Sequence, residues 1–534
     1  MPTAKDIYTF RLLPFPGLLL IALGTIAPGY SFAIDATDVA MPELPVVLTP
    51  ARMKQSIADT PASVTIITAD MLESFAIRSL PDALRLVPGM AITNDTGNDY
   101  RVGYHGSNIL SPRRMNVLID GVSAYRTGVA RLDWKDLPVA IADIERIEVT
   151  RSPDSAAWGP NSMMGVINIV TRHPADSGNG MLQAGFGSKG AVDATVRLAG
   201  NVGEQTVYRM TVNRIEDHGY DLASTSTSDG AHDGTRLTKL MFNSVSDIGA
   251  STLGLDFRMV DGINQIDYLD KYQVTFPDVY LRTYDLSATW RKAISPNQEL
   301  QVLGYVTQRA DRQPWRTCLP PPLLLPEAFD LWGANPAYLK SFLAGRVPTG
   351  GTATDNALLA KLVAAYKSLG ADAKTPVCVN GDQDIRDRRI NMEVQDTAAL
   401  SSSLRVVGGL GWRQDSRYSQ TYLGGEAANV AWNTFANAEY KPSTWLTFNA
   451  GGFYERTQLT DSSFAPRGSA NLHLAEGQTL RAIISRATRT PNIIEQRADW
   501  TYPATDYSRP INGETSGRFY AHATSPGGLE SERA

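Results

Sequence analysis

The stretch closest to a cofactor motif is Gly185-Phe186-Gly187-Ser188-Lys189-Gly190, whose glycine spacing fits a dinucleotide-binding turn. Such a turn needs a helix behind it. Here Val192, Ala194, Val196 and Leu198 alternate with Asp193, Thr195 and Arg197, which is a strand pattern, so the glycines read as a hairpin turn. Glu145 and Glu148 are spaced like paired carboxylates, but no Ser/His/Asp set accompanies them. The six histidines show no metal-ligand spacing. Catalytic residues, metal ligands and a resident cofactor are therefore not expected, and the chain does not read as an enzyme. The two cysteines, Cys318 and Cys378, are either a bridge or two free thiols. A bridge would close a loop worth roughly 4 kcal/mol in the chain-entropy account.

Composition narrows the class. A chain of 534 residues is too long for one ordinary core, so two domains are expected. The net charge of −5 argues against a nucleic-acid partner held by phosphate contacts. Glycine is plentiful, with 44 copies, and helix-period blocks between strands are scarce. Beyond the N-terminus no apolar run is long enough to span a bilayer as a helix.

Residues 1–33 read as a signal peptide. Lys5 and Arg11 give a basic start, Leu12 to Ile26 an apolar core, and Ser31-Phe32-Ala33 the small residues of a cleavage site. A transmembrane helix is the alternative, weakened by Pro14 and Pro16. The implied address lies beyond the inner membrane, where disulfides persist and the bridge is the favoured reading of the cysteines.

After an N-terminal segment over 34–55, residues 56–174 read as a small α+β unit. Ala62 to Ile67 is strand-like. Thr68 and Ser79 are placed to cap two short helices, the second with Pro81 in its first turn, and Pro88-Gly89 ends it. Met115 to Ile119 runs into the turn Asp120-Gly121, and Ile147 to Thr150 and Val166 to Val170 are further strands.

From residue 180 to 534 the period is two. Tyr208, Met210 and Val212, then Leu253, Leu255 and Phe257, then Tyr284, Leu286, Ala288 and Trp290 all alternate with polar neighbours. Tight turns at Asn201 to Glu204, Ser295 to Asn297, Ser401 to Ser403, Lys441 to Ser443 and Glu476 to Gln478 alternate with longer links. The links are His218 to Gly234, Gly262 to Asp278, 311–385 and Arg417 to Asn429. A bilayer leaves no water for stray backbone groups, so a spanning sheet closes on itself with apolar residues out and polar residues in. A soluble β-sandwich would also alternate, but has no reason to sort its loops by length. The fold class is thus mainly β: a small α+β domain followed by a transmembrane antiparallel β-barrel with about a dozen strands present. Residues 311–385 form its long external loop, which contains both cysteines, and Asn356 to Leu369 inside it has a helical period.

Several segments together resemble the TonB-dependent outer-membrane receptors. They are Val46-Val47-Leu48-Thr49-Pro50-Ala51-Arg52, Pro61 to Thr68, Leu84 to Met90, Val117 to Val122, Ile144 to Val149, and Trp158 to Thr171. The resemblance implies a plug inside an outer-membrane barrel of a Gram-negative bacterium. Two departures are His105-Gly106 in place of an Arg-Gly pair and Arg151-Ser152-Pro153 in place of Arg-Gly-Pro. Thr488 to Asn492 and Gly528 to Glu532 resemble segments well before the family's C-terminus, so a truncated chain with an open sheet is expected.

The resemblance also implies a function without bond chemistry: energised uptake of a ferric siderophore or similar scarce nutrient. A corrinoid (vitamin B12) receptor, or a passive or adhesive barrel without energy coupling, are the alternatives. Leu44, Pro45, Val46, Val47, Leu48 and Thr49 would form the coupling box that adds as a strand to TonB of the inner-membrane energising complex; a plain linker is the other reading. Asn98, Tyr100, Tyr125 and Arg126 on two plug apices are candidate ligand contacts for an anionic iron chelate, or else plug–barrel contacts. The remaining expected partner is outer-membrane lipid. Arg489-Thr490-Pro491 is a poor match to a haem-receptor box.

Overall fold

The computed structural model describes residues 8–12, 46–104, 114–129, 132–220, 232–266 and 278–534. Leu44, Pro45, His105, most of the leader and the middle of two long links therefore lie outside the described residues. Tyr8–Leu12, within the predicted leader, runs as a strand antiparallel to Gly180–Phe186. Its backbone fills a sheet edge whose N–H and C=O groups are otherwise open.

The N-terminal domain is a five-stranded mixed sheet. Its spatial order is Val64–Thr68, Ile144–Thr150, Gly165–Thr171, Met115–Ile119, Val122–Ser123. Local chemistry sets its corners. Thr68 Oγ1 accepts from Met71 N, and Ser79 accepts from Asp82 N with Pro81 in the first turn, so both short helices start where their caps lie. Asp120 (φ 51°) and Gly121 (φ 82°) make the two-residue turn between Ile119 and Val122, a conformation that Asp-Gly adopts readily. Ile67, Leu84, Ile119, Ile147, Ile167 and Ile169 lie in one buried core.

Thirteen strands between Gly180 and Ser485, together with Tyr8–Leu12, form one continuous antiparallel sheet. Its terminal strands do not pair with each other. Along Gln298–Arg312 the side chains of Leu303, Tyr305 and Asp311 are buried toward the plug. The intervening positions point outward. One lateral row on that outer face reads Trp290, Val302, Val394, Leu410, Thr434, Tyr454, Phe464. Leu410 is 67% exposed and Trp432, one row away, 62%, as a lipid-facing surface requires. No described helix is long and apolar enough to cross a membrane; the strands supply the apolar surface.

The links differ from the sequence reading in two places. The strands Leu404–Ser419 and Gly425–Ser443 run on through most of Arg417 to Asn429 and leave only 420–424, with the short helix Gln420–Leu423, between them. Lys441 to Ser443 belongs to the strand, and the turn falls at Thr444-Trp445; Pro442 is accommodated close to the strand's end. Between Arg312 and Ile385 the chain builds a module of its own. Pro314–Leu319 pairs with Val377–Asp382, and a disulfide joins the facing Cys318 and Cys378. The helices Pro326–Ala334, Pro336–Leu343 and Ala353–Ser368 pack with Asp499–Ala504 and Gly517–Thr524 around Leu325, Leu331, Leu339 and Leu362.

The outward row makes a quantitative expectation. Leu410→Arg places a charge on the lipid face and should cost about 2–4 kcal/mol of folding stability in liposomes. Leu303→Arg, on the inner face, should instead displace the plug and leave the sheet inserted. Urea titration in lipid and protease accessibility of residues 56–174 separate the two.

Candidate functional site

The plug and wall meet through charges that each element positions by register. On the loop end of the inner face, Arg309, Asp387 and Arg417 lie side by side on three neighbouring strands. Arg417 is fully buried, and its Nε and Nη2 each donate to Asp387 at 2.6 Å. Arg126, from the plug apex, reaches into this row. It pairs with Asp133 at 3.0 Å, Asp311 at 2.7 Å and Asp387 at 3.2 Å. Arg309 joins Asp133, Asp136 and Asp311 at 2.8–3.1 Å. Gly128 is required where the apex passes Arg417, because a Cβ there would fall 1.9 Å from Nε. Nearby, Asn98 donates to the carbonyls of Gly234 and Gln265. Asn98 and Arg126 thus sit in plug–barrel contacts. Tyr125 is buried and lines the main cavity, while Tyr100 is half-buried beside Trp134 in a second cavity. Burial raises the Tyr100 phenol above its ordinary pKa, aided by the Asp82 charge.

At mid-height Asp120 accepts from Thr171 N at 2.8 Å and from Arg258 at 2.6 Å, so the plug's hairpin turn is tied to the wall. Asp154 pairs with Arg467, both buried.

The N-terminal segment forms a strap between plug and wall. Val46–Val47 pairs with Gln55–Ser56. Leu48 N and Thr49 N donate to Glu148 Oε2 at 3.1 and 3.0 Å, and Trp158 Nε1 donates to Thr49 O at 2.7 Å. Arg146 binds the other oxygen of Glu148 at 2.8 Å. Glu148 thus acts here as a structural acceptor that ties the strap to the plug sheet. Arg52 lies between the rings of Trp158 (4.2 Å) and Phe435 (4.0 Å) and pairs with Glu393. At the turn end, Asn471 and Arg481 donate to carbonyls of 57–60, and Asp59 accepts from Lys441 at 2.7 Å and Thr447 at 2.8 Å. Burial pushes the Asp59 carboxyl up, but the bonds from Lys441, Ser56 and Thr447 outweigh it and hold the pKa below the ordinary value.

A cavity of ≈ 960 Å³ runs beside the plug, from the turn residues Ser295 to Asn297 to Leu459 and Pro491 near the loop end. Nine arginines and lysines and six carboxylates line it, and Arg126, Arg146, Arg405 and Arg413 are paired with further carboxylates just behind the lining, so its walls are mixed in charge. Among the described residues no group of three or more His, Cys, Asp or Glu could hold a metal.

Sequence reasoning missed Arg52, Asp59, Asp387, Arg417 and Arg467. Their only signal was an ionisable residue on the polar side of an alternating strand, or in the flank of the coupling box.

A globule plugging an outer-membrane β-sheet defines a class of receptor, and the comparisons agree. Residues 56–166 match the family described as TonB-dependent Receptor Plug Domain. The "Vitamin B12 transporter BtuB" of Vibrio cholerae serotype O1 is 27% identical over 251 residues, 47% of this chain and 40% of that protein. BtuB of Vibrio vulnificus is 28% identical over 218 residues, 39% of this chain and 34% of that protein. The siderophore receptor PirA from Acinetobacter baumannii superimposes with a TM-score of 0.59 at 15% identity, covering 88% of this chain and 66% of PirA. The ferripyoverdine receptor of Pseudomonas aeruginosa gives 0.59 at 12%, covering 86% and 62%. The aligned region spans less than half the length of the curated relatives. Residues 56–166 are thus a TonB-dependent receptor plug domain, and the chain has the plug-and-barrel fold of the solved outer-membrane receptors it superimposes on.

Two outcomes follow. Arg126→Ala leaves Asp133, Asp311 and Asp387 short of a buried partner and should weaken plug docking by about 3–5 kcal/mol. Hydrogen exchange across 124–133 reads that loss. Asp59 has a lowered folded pKa, so its contribution is complete above about pH 4 and is lost as pH falls through the lower folded value. Asp59→Asn should abolish this acid-sensitive part of the protection over 55–60.

Proposed function

We propose that this receptor takes up a scarce, bulky nutrient using force delivered to its N-terminal strap. The observation that carries the reading is the strap itself. Val46 to Thr60 is the plug's lead segment at the turn end, and it bonds at once to the plug sheet through Glu148 and to the wall through Asp59. A partner that adds a strand near Val46, as TonB would, could draw on that segment and strain both attachments. Val46 is 53% exposed, while Val47 is buried, so capture requires the strap to leave its seat.

The arginines along the cavity, Arg172 and Arg291 among them, support an anionic ferric chelate as the ligand class, as does the likeness to the siderophore receptor PirA. The 27% identity to proteins named vitamin B12 transporters favours a corrinoid as the second reading. The leader read in residues 1–33 would be removed on export, which frees the edge that Tyr8–Leu12 covers. The two-cysteine bridge would stiffen the external module.

Uptake is tested by growth on single ferric chelates or on cobalamin, comparing a full-length homologous gene with its deletion. Deleting Leu44 to Thr49, or Val47→Pro, should abolish uptake while leaving ligand binding to the cell surface unchanged. Uptake that persists in both variants would leave a passive barrel as the better account.

A further inference from the structure

The outer face of the sheet carries a second, unassigned feature on the strands that flank the long loop. Ala310 points outward, and its neighbours in the lateral row are Arg282 on one side and Arg386 on the other. Those two strands are two spacings apart, about 10 Å. Arg312 stands one pleat beyond Ala310 on the same strand. Arg388 stands one pleat nearer the membrane, beside Gln308. Four arginines on three adjacent strands thus surround a single methyl group.

All four side chains are exposed. Arg312 is 70% exposed and pairs with Asp382 at 2.8 Å; Arg282 is 56% exposed and pairs with Asp261 at 2.5 Å. Arg386 lies over the Tyr418 ring at 5.0 Å. The Arg388 side chain makes no ion pair or hydrogen bond with a described residue. The next rows toward the turn end are Leu286, Val306, Ile390 and then Ala288, Gly304, Met392, Trp412, where the apolar belt begins. Tyr284 sits at the boundary, where a membrane-interface aromatic belongs.

We propose that this notch binds the phosphate of a phosphate-bearing lipid in the leaflet at the long-loop end. The guanidinium fork matches a phosphate's oxygens two at a time, and the small Ala310 leaves room for the headgroup between Arg282 and Arg386. The two carboxylates leave the cluster with a surplus of two positive charges. A soluble anion would meet only exposed, screened arginines. A lipid arrives with its acyl chains already against Leu286, Val306 and Met392, so its phosphate is held at the height of the cluster. The proposal rests on the outer face being membrane-embedded, and not on nutrient uptake.

Native mass spectrometry of the detergent-solubilised full chain tests it, with phosphatidic acid, a diacylglycerol of the same chains, and inorganic phosphate as probes. Phosphatidic acid should be retained, diacylglycerol should not, and inorganic phosphate should not displace the lipid. Arg386→Gln with Arg388→Gln should lower retention about thirtyfold, as two surface arginines predict. Arg388→Lys, which keeps the charge and loses the fork, should lower it less. Arg456→Gln, an outward arginine outside the cluster, should change nothing, and circular dichroism should show the same strand content in all variants. Equal retention in the double variant, an equal loss in Arg456→Gln, or displacement by inorganic phosphate would each overturn the assignment.

Discussion

A sheet in lipid must satisfy its backbone through neighbouring strands, and that single demand fixes what its two faces carry. Outward side chains face hydrocarbon and are apolar. Inward side chains are free to be polar, but once they are shut in they need partners. Arg309, Asp387, Arg389, Asp415 and Arg417 are all on that inner face, and removing one partner of a buried pair leaves an uncompensated charge costing several kcal/mol. The plug supplies what the wall lacks: Arg126 for Asp311 and Asp387, Asp120 for Arg258, Asp154 for Arg467. The plug's fit thus combines these directional ion pairs with small apolar contacts, Val122 on Leu303 and Tyr305, and Ala51 and Met53 on Phe435 and Phe453. Its own apolar core is turned inward on itself, around Ile147 and Ile167.

That distinction matters for the proposed uptake, which requires the plug to move. An apolar interface would release gradually as area is exposed. Ion pairs with fixed register release in discrete steps, and a chain of arginines and carboxylates can exchange partners with water at the cavity wall. The ≈ 960 Å³ cavity lies beside these groups, where Arg126, Arg389 and Arg413 all line it.

Much of the architecture was legible because its signals are local. Alternation announces a strand wherever Leu286 and Val196 face lipid and Ser287 and Arg197 do not. Thr68, Ser79 and Asp120-Gly121 mark caps and a turn within four residues of what they control. The reading failed where those signals blur. Gln414, Ser416 and Tyr418 point outward above the apolar belt, so the strand loses its hydrophobic alternation before it ends. Pro442 looks like a turn but lies where a strand's last residues tolerate it. Site partners were the least legible. The chemistry of Arg126 was plain, but its acceptor Asp387 is 261 residues away, and only the packing of the sheet against the plug brings them together. An inward arginine such as Arg417 reads in sequence like any solvated surface charge.

The two ends of the plug are held by different bonds, and the difference sets an order of release. At the loop end Arg126, Arg309 and Arg417 share Asp133, Asp136, Asp311 and Asp387 in one buried network. At the turn end the strap is held by single hydrogen bonds to backbone, Thr49 N to Glu148 and Asn471 and Arg481 to 57–60, together with two separate ion pairs, Arg52–Glu393 and Asp59–Lys441. Each hydrogen bond contributes about 0.5–1.5 kcal/mol, with charged acceptors somewhat more. A pull applied near Val46 loads these bonds one after another, as in peeling, before it reaches the ion-pair network. The strap therefore detaches first, and the apex that touches the stems of the long loop stays in place until force has travelled through the plug sheet. Asp311 and Asp387 lie within two residues of that loop's two stems, so whatever shifts the external module also shifts the acceptors of Arg126. Arg126 is thus the side chain through which events above the plug can alter how firmly it is seated.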